Sequence, residues 1–495
     1  MSLRKKIIAL FICIVLNSGL CCFALEASVQ MIEKGSTLSM KDCLEIALNN
    51  SPLIKRARYN YGVSAKTYSI SKAAYFPTIG IGTGYYVNTS SSSRGGGGRY
   101  GSYNRNTTNN YYSAEASLNQ LIWNFGKTNA NIRMNNFYRI AAIFDFDNIV
   151  LDTLFEVKNN YYNVLAAKAQ VEINKANVQI NERNYQRTKA YFDEGIRSKI
   201  DLVNAEVYLS DSKVALVNSE KIYQNALVQL NNSMYVAYTP EYEIESTENF
   251  KFSDNLAEVN LEDISKKEDY SAPPEEVDDA FLTSQVEKIE VLTDFKLNPF
   301  PYTFEESLEM AYENRPDLKA YDATLSAMKE ALKYTKREYL PEISGNVGYG
   351  YRDSYNTNSF NVGVSLSTNV NILATKHEID SAKLQVELAQ NEIDLAKQNI
   401  YFEVQDAYIN MMQLEKQIPL LAVKVRQTLE NFELADGRYS VGIGDYIELQ
   451  DAKVNYNNAQ QSYVEAVFNY NVARANLEKA IALPQEVTAT IGDEK

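Results

Sequence analysis

Glu448 and Asp451 stand three positions apart in YIELQDAKV, a stretch with a helical period. That spacing puts both carboxylates on one helix face, one turn apart. Repeated around a symmetry axis, the pair would form two stacked acidic rings, and such rings at a constriction favour cations. On an isolated helix the same two residues are an ordinary solvated face. Little else is equipped for chemistry. His377 is the only histidine, and the four cysteines are Cys13, Cys21, Cys22 and Cys43. Neither a phosphate-binding loop nor a nucleophile motif occurs, and no Cys and His residues fall at metal-ligand spacing. The sequence therefore argues against an enzyme and implies no cofactor or metal.

The elements that must position this helix come in two copies. Thr37 to Pro52 (TLSMKDCLEIALNNSP) returns as Tyr302 to Pro316 (YTFEESLEMAYENRP). Pro52 and Pro316 lie 264 residues apart, as do Pro77 and Pro341, whereas Gly195 (EGIRSKIDLVNAEV) and Gly442 (VGIGDYIELQDAKV) lie 247 apart. The spacing is already 248 at Leu118 and Leu366. Most of the difference thus falls in Thr89 to Asn110, a stretch of Ser, Gly, Asn and Arg that reads as a loop, where length costs little. A unit that keeps register on both sides of such a loop implies an architecture built by internal duplication.

Met1 to Ala24 reads as a secretory signal, with Arg4, Lys5 and Lys6 before an apolar run and Cys22-Phe23-Ala24 as the cleavage site. A lipidated Cys21 or Cys22 is the second reading, although Leu20 and Cys21 are poor residues before such a cysteine. Cleavage leaves Cys43 alone, so no intramolecular disulfide is available. Beyond the signal no run of about 18 apolar residues occurs, so any membrane insertion must use strands. The formal charge of −14 becomes −17 without the signal, and residues 241–300 carry 17 acidic and 5 basic side chains. This balance opposes nucleic-acid binding.

After each Tyr-x-Pro the period changes to two. Ile79, Ile81, Thr83, Tyr85 and Val87 share a face, as do Tyr112, Ala114, Ala116 and Leu118 on the return strand. In the second copy Ile343, Val347, Tyr349 and Tyr351 precede Phe360, Val362, Val364 and Leu366. Four strands of about ten residues, each with one apolar and one small or polar face, fit a membrane barrel, with the edge of a soluble sandwich as the alternative. Tyr85, Tyr86, Tyr111, Tyr112, Tyr349 and Tyr351 would form one aromatic girdle, and Tyr75, Phe76, Trp123, Phe125 and Tyr339 the other. A closed barrel needs at least eight strands. A dimer would supply eight and a trimer twelve.

Between Gly126 and Gly195 neither glycine nor proline interrupts the chain, which predicts a helix about 100 Å long. Shorter helices are expected near Ser39–Tyr75 and Lys199–Asn232. The second copy repeats the set near Phe304–Tyr339, Thr375–Arg438 and Tyr446–Ala482, with Pro419 expected to kink its long arm. Apolar residues scattered among Asn, Gln, Lys and Glu suit coiled-coil packing around a wet interior. A soluble coiled-coil rod is the bland alternative.

Together the duplicated motif, the two Tyr-x-Pro hairpins and the glycine-centred turns between long helices resemble the TolC-like outer-membrane efflux protein family, over nearly all of Thr37 to Ala482. The resemblance implies a mixed α and β membrane protein. It would be a homotrimer with a 12-strand β-barrel, four strands per chain, in outer-membrane lipid, continuous with a helical barrel in the periplasm. The domain plan becomes a signal peptide at 1–24, a first repeat at 25–235, an acidic equatorial segment at 236–301, a second repeat at 302–483 and a tail at 484–495. The implied function is a passive exit duct of a tripartite efflux or type I secretion system. A periplasmic adaptor and an inner-membrane ABC, RND or MFS transporter would be its partners, with no nucleic acid. Glu194, Gly195, Ile196, Val441, Gly442 and Ile443 match the family's adaptor-docking turns. Glu448 and Asp451 match its acidic gate, with Glu448 where aspartate is common. Asp201 and Tyr439 fall within its tip latch. Gly444 replaces an arginine found there in some members, for which Arg197 or Lys199 would substitute. The competing class is a structural or adhesive trimeric stalk.

Overall fold

Each copy opens on a reciprocal helix cap. The computed structural model describes residues 32, 34–93, 104–236, 241–245, 300–353 and 357–483. The expected signal peptide, the tail and nearly all of the acidic segment lie outside these residues. Strand β1 (Thr37–Leu38) runs into Ser39, whose hydroxyl accepts the Asp42 N–H while the Asp42 carboxylate accepts the Ser39 N–H. This starts α1 (Met40–Asn50), which stops at Ser51 because Pro52 holds it extended, with φ −54° and ψ 119°. Pro52 then begins α2 (Pro52–Ala73), where its missing N–H costs nothing. The single helix expected over Ser39–Tyr75 is thus two.

The chain continues through β2 (Thr78–Ser93), β3 (Asn104–Trp123), α3 (Lys127–Asp193) and α4 (Lys199–Ser233). After β4 (Glu243–Ile244), which pairs with β1, the same order returns. A Thr303–Glu306 cap starts α5 (Phe304–Asn314), and Pro316 separates it from α6 (Pro316–Lys336), again dividing an expected single helix. A short turn at Arg337–Tyr339 leads to β5 (Glu342–Arg352), β6 (Thr357–Ser367), α7 (Ile372–Ser440) and α8 (Tyr446–Ala480). Helix α7 continues past Pro419 without a break, anchored by buried Ile418 and Ala422 on either side.

The sheet is antiparallel, in the order β2-β3-β5-β6. Its register aligns the four alternations on one face: Ile79 opposes Leu118, Leu118 opposes Val347, and Val347 opposes Val362. Tyr112, Tyr349 and Phe360 join them, and this apolar face is exposed in the single chain. Tyr85 lies 4.9 Å from Tyr112 and Tyr86 lies 5.2 Å from Tyr111, while Trp123 and Phe125 pair at the helix end of the strands. Strands β5 and β6 have 11 residues each, close to expectation, but β2 and β3 have 16 and 20. The expected loop from Thr89 to Asn110 is paired strand as far as Ser93 and again from Asn104. Polar side chains marked it as a loop, yet its main chain completes the ladder.

Buried side chains form two clusters, both reaching the middle of the long helices, and the second continues to the tip at Tyr439 and Tyr446. Cys43, Leu44 and Ile54 from the leading helices pack with Leu154, Tyr161 and Val164 of α3, and with Leu230 and Met234 at the end of α4. In the second copy Ala311, Leu318 and Leu325 pack with Ile400, Val404 and Met411 of α7 and with Leu477 of α8. Arg315, at the break between α5 and α6, joins these elements. It donates two hydrogen bonds to Asp317, one to Glu403 and one to the Ala480 carbonyl.

Candidate functional site

The far end of the helices from the sheet is built around two left-handed glycines. Gly195 (φ +75°) and Gly442 (φ +82°) end α3 and α7, and the next N–H groups turn back onto the helices. Ile196 donates to the Tyr191 carbonyl at 2.8 Å, and Ile443 donates to the Arg438 carbonyl at 3.1 Å. This is how a helix satisfies its last carbonyls while reversing direction. Gly444 is needed for space, because a Cβ there would come within 2.9 Å of the Tyr439 nitrogen.

Two hydrogen bonds hold the turns together. The Tyr191 hydroxyl donates to the Ser440 carbonyl at 3.0 Å, and Arg197 Nη2 donates to the Gly444 carbonyl at 2.9 Å. The six residues expected to dock a partner therefore lie in one patch. Within it Glu194 is exposed, as are Ile196, Val441 and Ile443, the last at 77%.

Behind the patch Tyr439 is fully buried. Its hydroxyl and that of Thr188 are 2.9 Å apart, and its ring packs near Tyr191 and Tyr446. Arg197 and Arg187 lie 4.7 and 5.1 Å from the ring centre. Arg187 in turn donates to both carboxylate oxygens of Asp436 on α7 and to Asn184. Burial raises the Tyr439 hydroxyl above its ordinary pKa, despite the Thr188 contact and the two arginines that favour ionisation, and the charge of Asp201 adds to the rise.

Asp201 does not bond Tyr439. Its carboxylate accepts the N–H and the hydroxyl of Ser198, capping α4, and reaches Tyr439 only through its charge. Of the two cations considered as substitutes for the missing arginine, Arg197 bridges the turns, while Lys199 is the first residue of α4. Sequence reasoning missed Arg187, Thr188 and Asp436. Their signal was an opposite-charge pair at similar depth behind the two tip glycines.

Glu448 and Asp451 occupy the first turns of α8 and are both exposed, although Leu449, Gln450, Ala452 and Lys453 around them are buried. Glu448 lies 3.3 Å from Arg438 in a bridge open to solvent. Such a pair contributes at most about 1 kcal/mol. The chain thus leaves both carboxylates exposed, with Glu448 in contact with Arg438. Among the described residues, no group of three or more His, Cys, Asp and Glu side chains is arranged to hold a metal ion.

Comparison with known proteins gives the context. The family model described as outer membrane efflux protein matches residues 43–234 and 307–483. Curated proteins give no match. Among solved structures, the chain is similar to the CmeC outer membrane channel of Campylobacter jejuni, with 15% identity and a TM-score of 0.69, over 95% of this chain and 94% of that one. It is also similar to the open state of the MtrE outer membrane channel of Neisseria gonorrhoeae, with 16% identity and a TM-score of 0.66, over 92% of each chain. The outer membrane protein VceC of Vibrio cholerae gives 14% identity and a TM-score of 0.67, over 89% of this chain and 95% of that one. At such identities the structures speak to the fold, whereas the family model spans both copies of the motif and most of the chain. The chain belongs to the outer membrane efflux protein family.

Proposed function

We propose that three copies of the chain form the passive exit duct of a tripartite efflux or type I secretion system. Twelve strands close a barrel in the outer membrane, the helices continue it across the periplasm, and a closed tip opens when an adaptor and an inner-membrane transporter engage. The observation that carries this reading is a four-stranded sheet with an exposed apolar face and two open edges, β2 and β6, continuous with helices about 100 Å long. Hydrocarbon tolerates the face but not the edges.

The exposed residues of the helices support closure by further copies. Helix α2 leads into β2 and α7 leaves β6, so joining these edges between copies brings α2 and α7 side by side. Counted from the sheet, Val63 and Tyr59 on α2 stand level with Leu384 and Leu388 on α7 to within about a turn. Counted from the tip, Val207, Val217 and Val228 on α4 match Leu434, Leu420 and Ile409 in the same way. All ten are exposed in the single chain. In the assembly, Ile196, Val441, Ile443 and their neighbours receive the adaptor, Tyr439 with Arg187, Arg197 and Asp201 holds the tip shut, and Glu448 and Asp451 form the acidic rings.

The test is conductance in a planar bilayer under a salt gradient. Wild-type protein is expected to give a small, cation-selective conductance, and the double variant Glu448→Ala/Asp451→Ala to lose most of that selectivity while still conducting. Unchanged selectivity would move the gate elsewhere. No conductance from folded assemblies, even with the tip loosened, would favour a structural stalk.

A further inference from the structure

Among the described residues, buried Lys453 has no ion-pair partner. It projects from α8 and is only 2% exposed, and its amine donates to the Asn181 side-chain oxygen on α3. The Asn181 amide nitrogen donates onward to the Tyr208 carbonyl of α4 at 3.3 Å, so three helices meet at this point. Helix α3 runs toward the tip and α8 away from it. Asn184 and Gln450 therefore lie one turn nearer the tip on the same two helices. Both are buried, and among the described residues the Asn184 amide nitrogen has no hydrogen-bond partner, while that of Gln450 lies toward the Tyr446 hydroxyl without full hydrogen-bond geometry. This stretch of the seam has donors to spare and needs an acceptor, a role a neutral amine can fill and an ammonium cannot.

The surrounding charges are engaged elsewhere. On α3 and α7, Arg187 and Asp436 bind each other, and the charge of Glu433 on α7 acts on Tyr456 of α8. Tyr208 on α4 and Tyr446 on α8 lie with ring centres 6.1 Å apart and planes tilted by 53°. None of these groups supplies a counter-charge to Lys453, and burial alone brings its amine down to about 7.

We propose that Lys453 is a proton-operated joint: its neutral form keeps the α3–α8 seam shut near the tip, and taking up a proton loosens it. When the seam parts, the amine meets water and regains its ordinary value of 10.5. Opening therefore takes up a proton between pH about 7 and about 10, and each unit of acidification there favours the open seam about tenfold. Below about 7 both forms carry the proton and the preference levels off. The seam is firmest in alkali and already loosened at neutral pH. The effect on tip opening rests on the duct reading, but the joint itself does not.

Hydrogen exchange on the intact, detergent-solubilised protein tests the joint at pH 7, 8 and 9. Segments around Asn181 and Lys453 are compared between wild type, Lys453→Met and Asn181→Asp at each pH, so that intrinsic exchange cancels. Relative to Lys453→Met, wild-type seam opening is expected to fall about 50-fold from pH 7 to pH 9. Asn181→Asp supplies a carboxylate, keeps the amine charged and is expected to remove most of that dependence. A wild-type to methionine ratio that stays constant with pH would overturn the joint and leave Lys453 a packing role. If the methionine variant does not fold, a wild-type slope that Asn181→Asp leaves intact overturns it equally. Conductance plays no part, so this test can fail without the duct reading failing.

Discussion

Replacing Tyr439 with alanine is expected to release the tip while leaving most of the molecule intact. The ring is fully buried, has two arginines within about 5 Å of its centre and packs near Tyr191 and Tyr446, so its loss removes an aromatic core and two cation–π contacts together. Truncation of a buried aromatic costs about 3–5 kcal/mol. Because Tyr439 lies at the end of α7, that cost falls on local opening of the turns rather than on global unfolding. Amides near Tyr191 and Tyr439 should exchange about 100-fold faster or more, while the midpoint of thermal unfolding shifts little. Tyr439→Phe keeps the ring and loses only the Thr188 hydrogen bond, at about 1 kcal/mol. In the bilayer assay the alanine form should conduct more than the phenylalanine form. Equal protection in both would mean that the turns are held by the Arg197 and Tyr191 hydrogen bonds alone.

Arg315→Ala acts at mid-length and is expected to destabilise the whole chain by about 1–3 kcal/mol, between the effects of losing an exposed and a buried ion pair, because the carboxylates it joins are partly open to solvent. The guanidinium is 14% exposed and joins Asp317, Glu403 and the Ala480 carbonyl, so its loss leaves half-buried Asp317 and a main-chain oxygen without this donor, while Glu403 turns to solvent. Arg315→Lys should rescue little, because one ammonium cannot match the two-pronged contact to Asp317. Burial opposes ionisation of Asp317, but the Arg315 hydrogen bond and charge, with the Leu318 N–H, prevail and hold its carboxyl below the ordinary value. Its contribution is therefore complete above the unfolded carboxylate value of about 3.9 and is lost as pH falls through the lower folded value. Denaturant unfolding between pH 3 and 7 should show that acid loss in wild type and little of it in Arg315→Ala.

What the sequence made legible followed from local rules. Alternation alone assigns Ile79, Ile81 and Val87 to one face, and the register bears this out. Glycine-free, proline-free chain sets the length of α3, and Gly195 sets its end. Pro52 and Pro316 were legible as markers of repetition and less so as breaks, although Ser51 before Pro52 carries both a cap and a stop. The strand through Thr89–Ser93 was hidden because its side chains are those of a loop, and its pairing depends on a partner segment further along the chain. At the tip the glycines and Tyr439 stood out, but Arg187 and Asp436 lie 249 residues apart and no local pattern joins them. Lys453 was illegible for the opposite reason, since a lysine between Ala452 and Val454 reads as a surface residue until three helices close over it.

The open edges β2 and β6 also bear on how the protein is made. A lone exported chain suits neither solvent: its sheet face is too apolar for water, and the unpaired main-chain groups along its edges cost several kcal/mol each in hydrocarbon. In the proposed assembly, strands from different chains must therefore meet before or while they enter the bilayer. Insertion becomes a matter of encounter, with a rate that climbs faster than linearly with the amount of exported chain. Halving export should lower the inserted protein by more than half, a relation that membrane fractionation over graded expression would reveal.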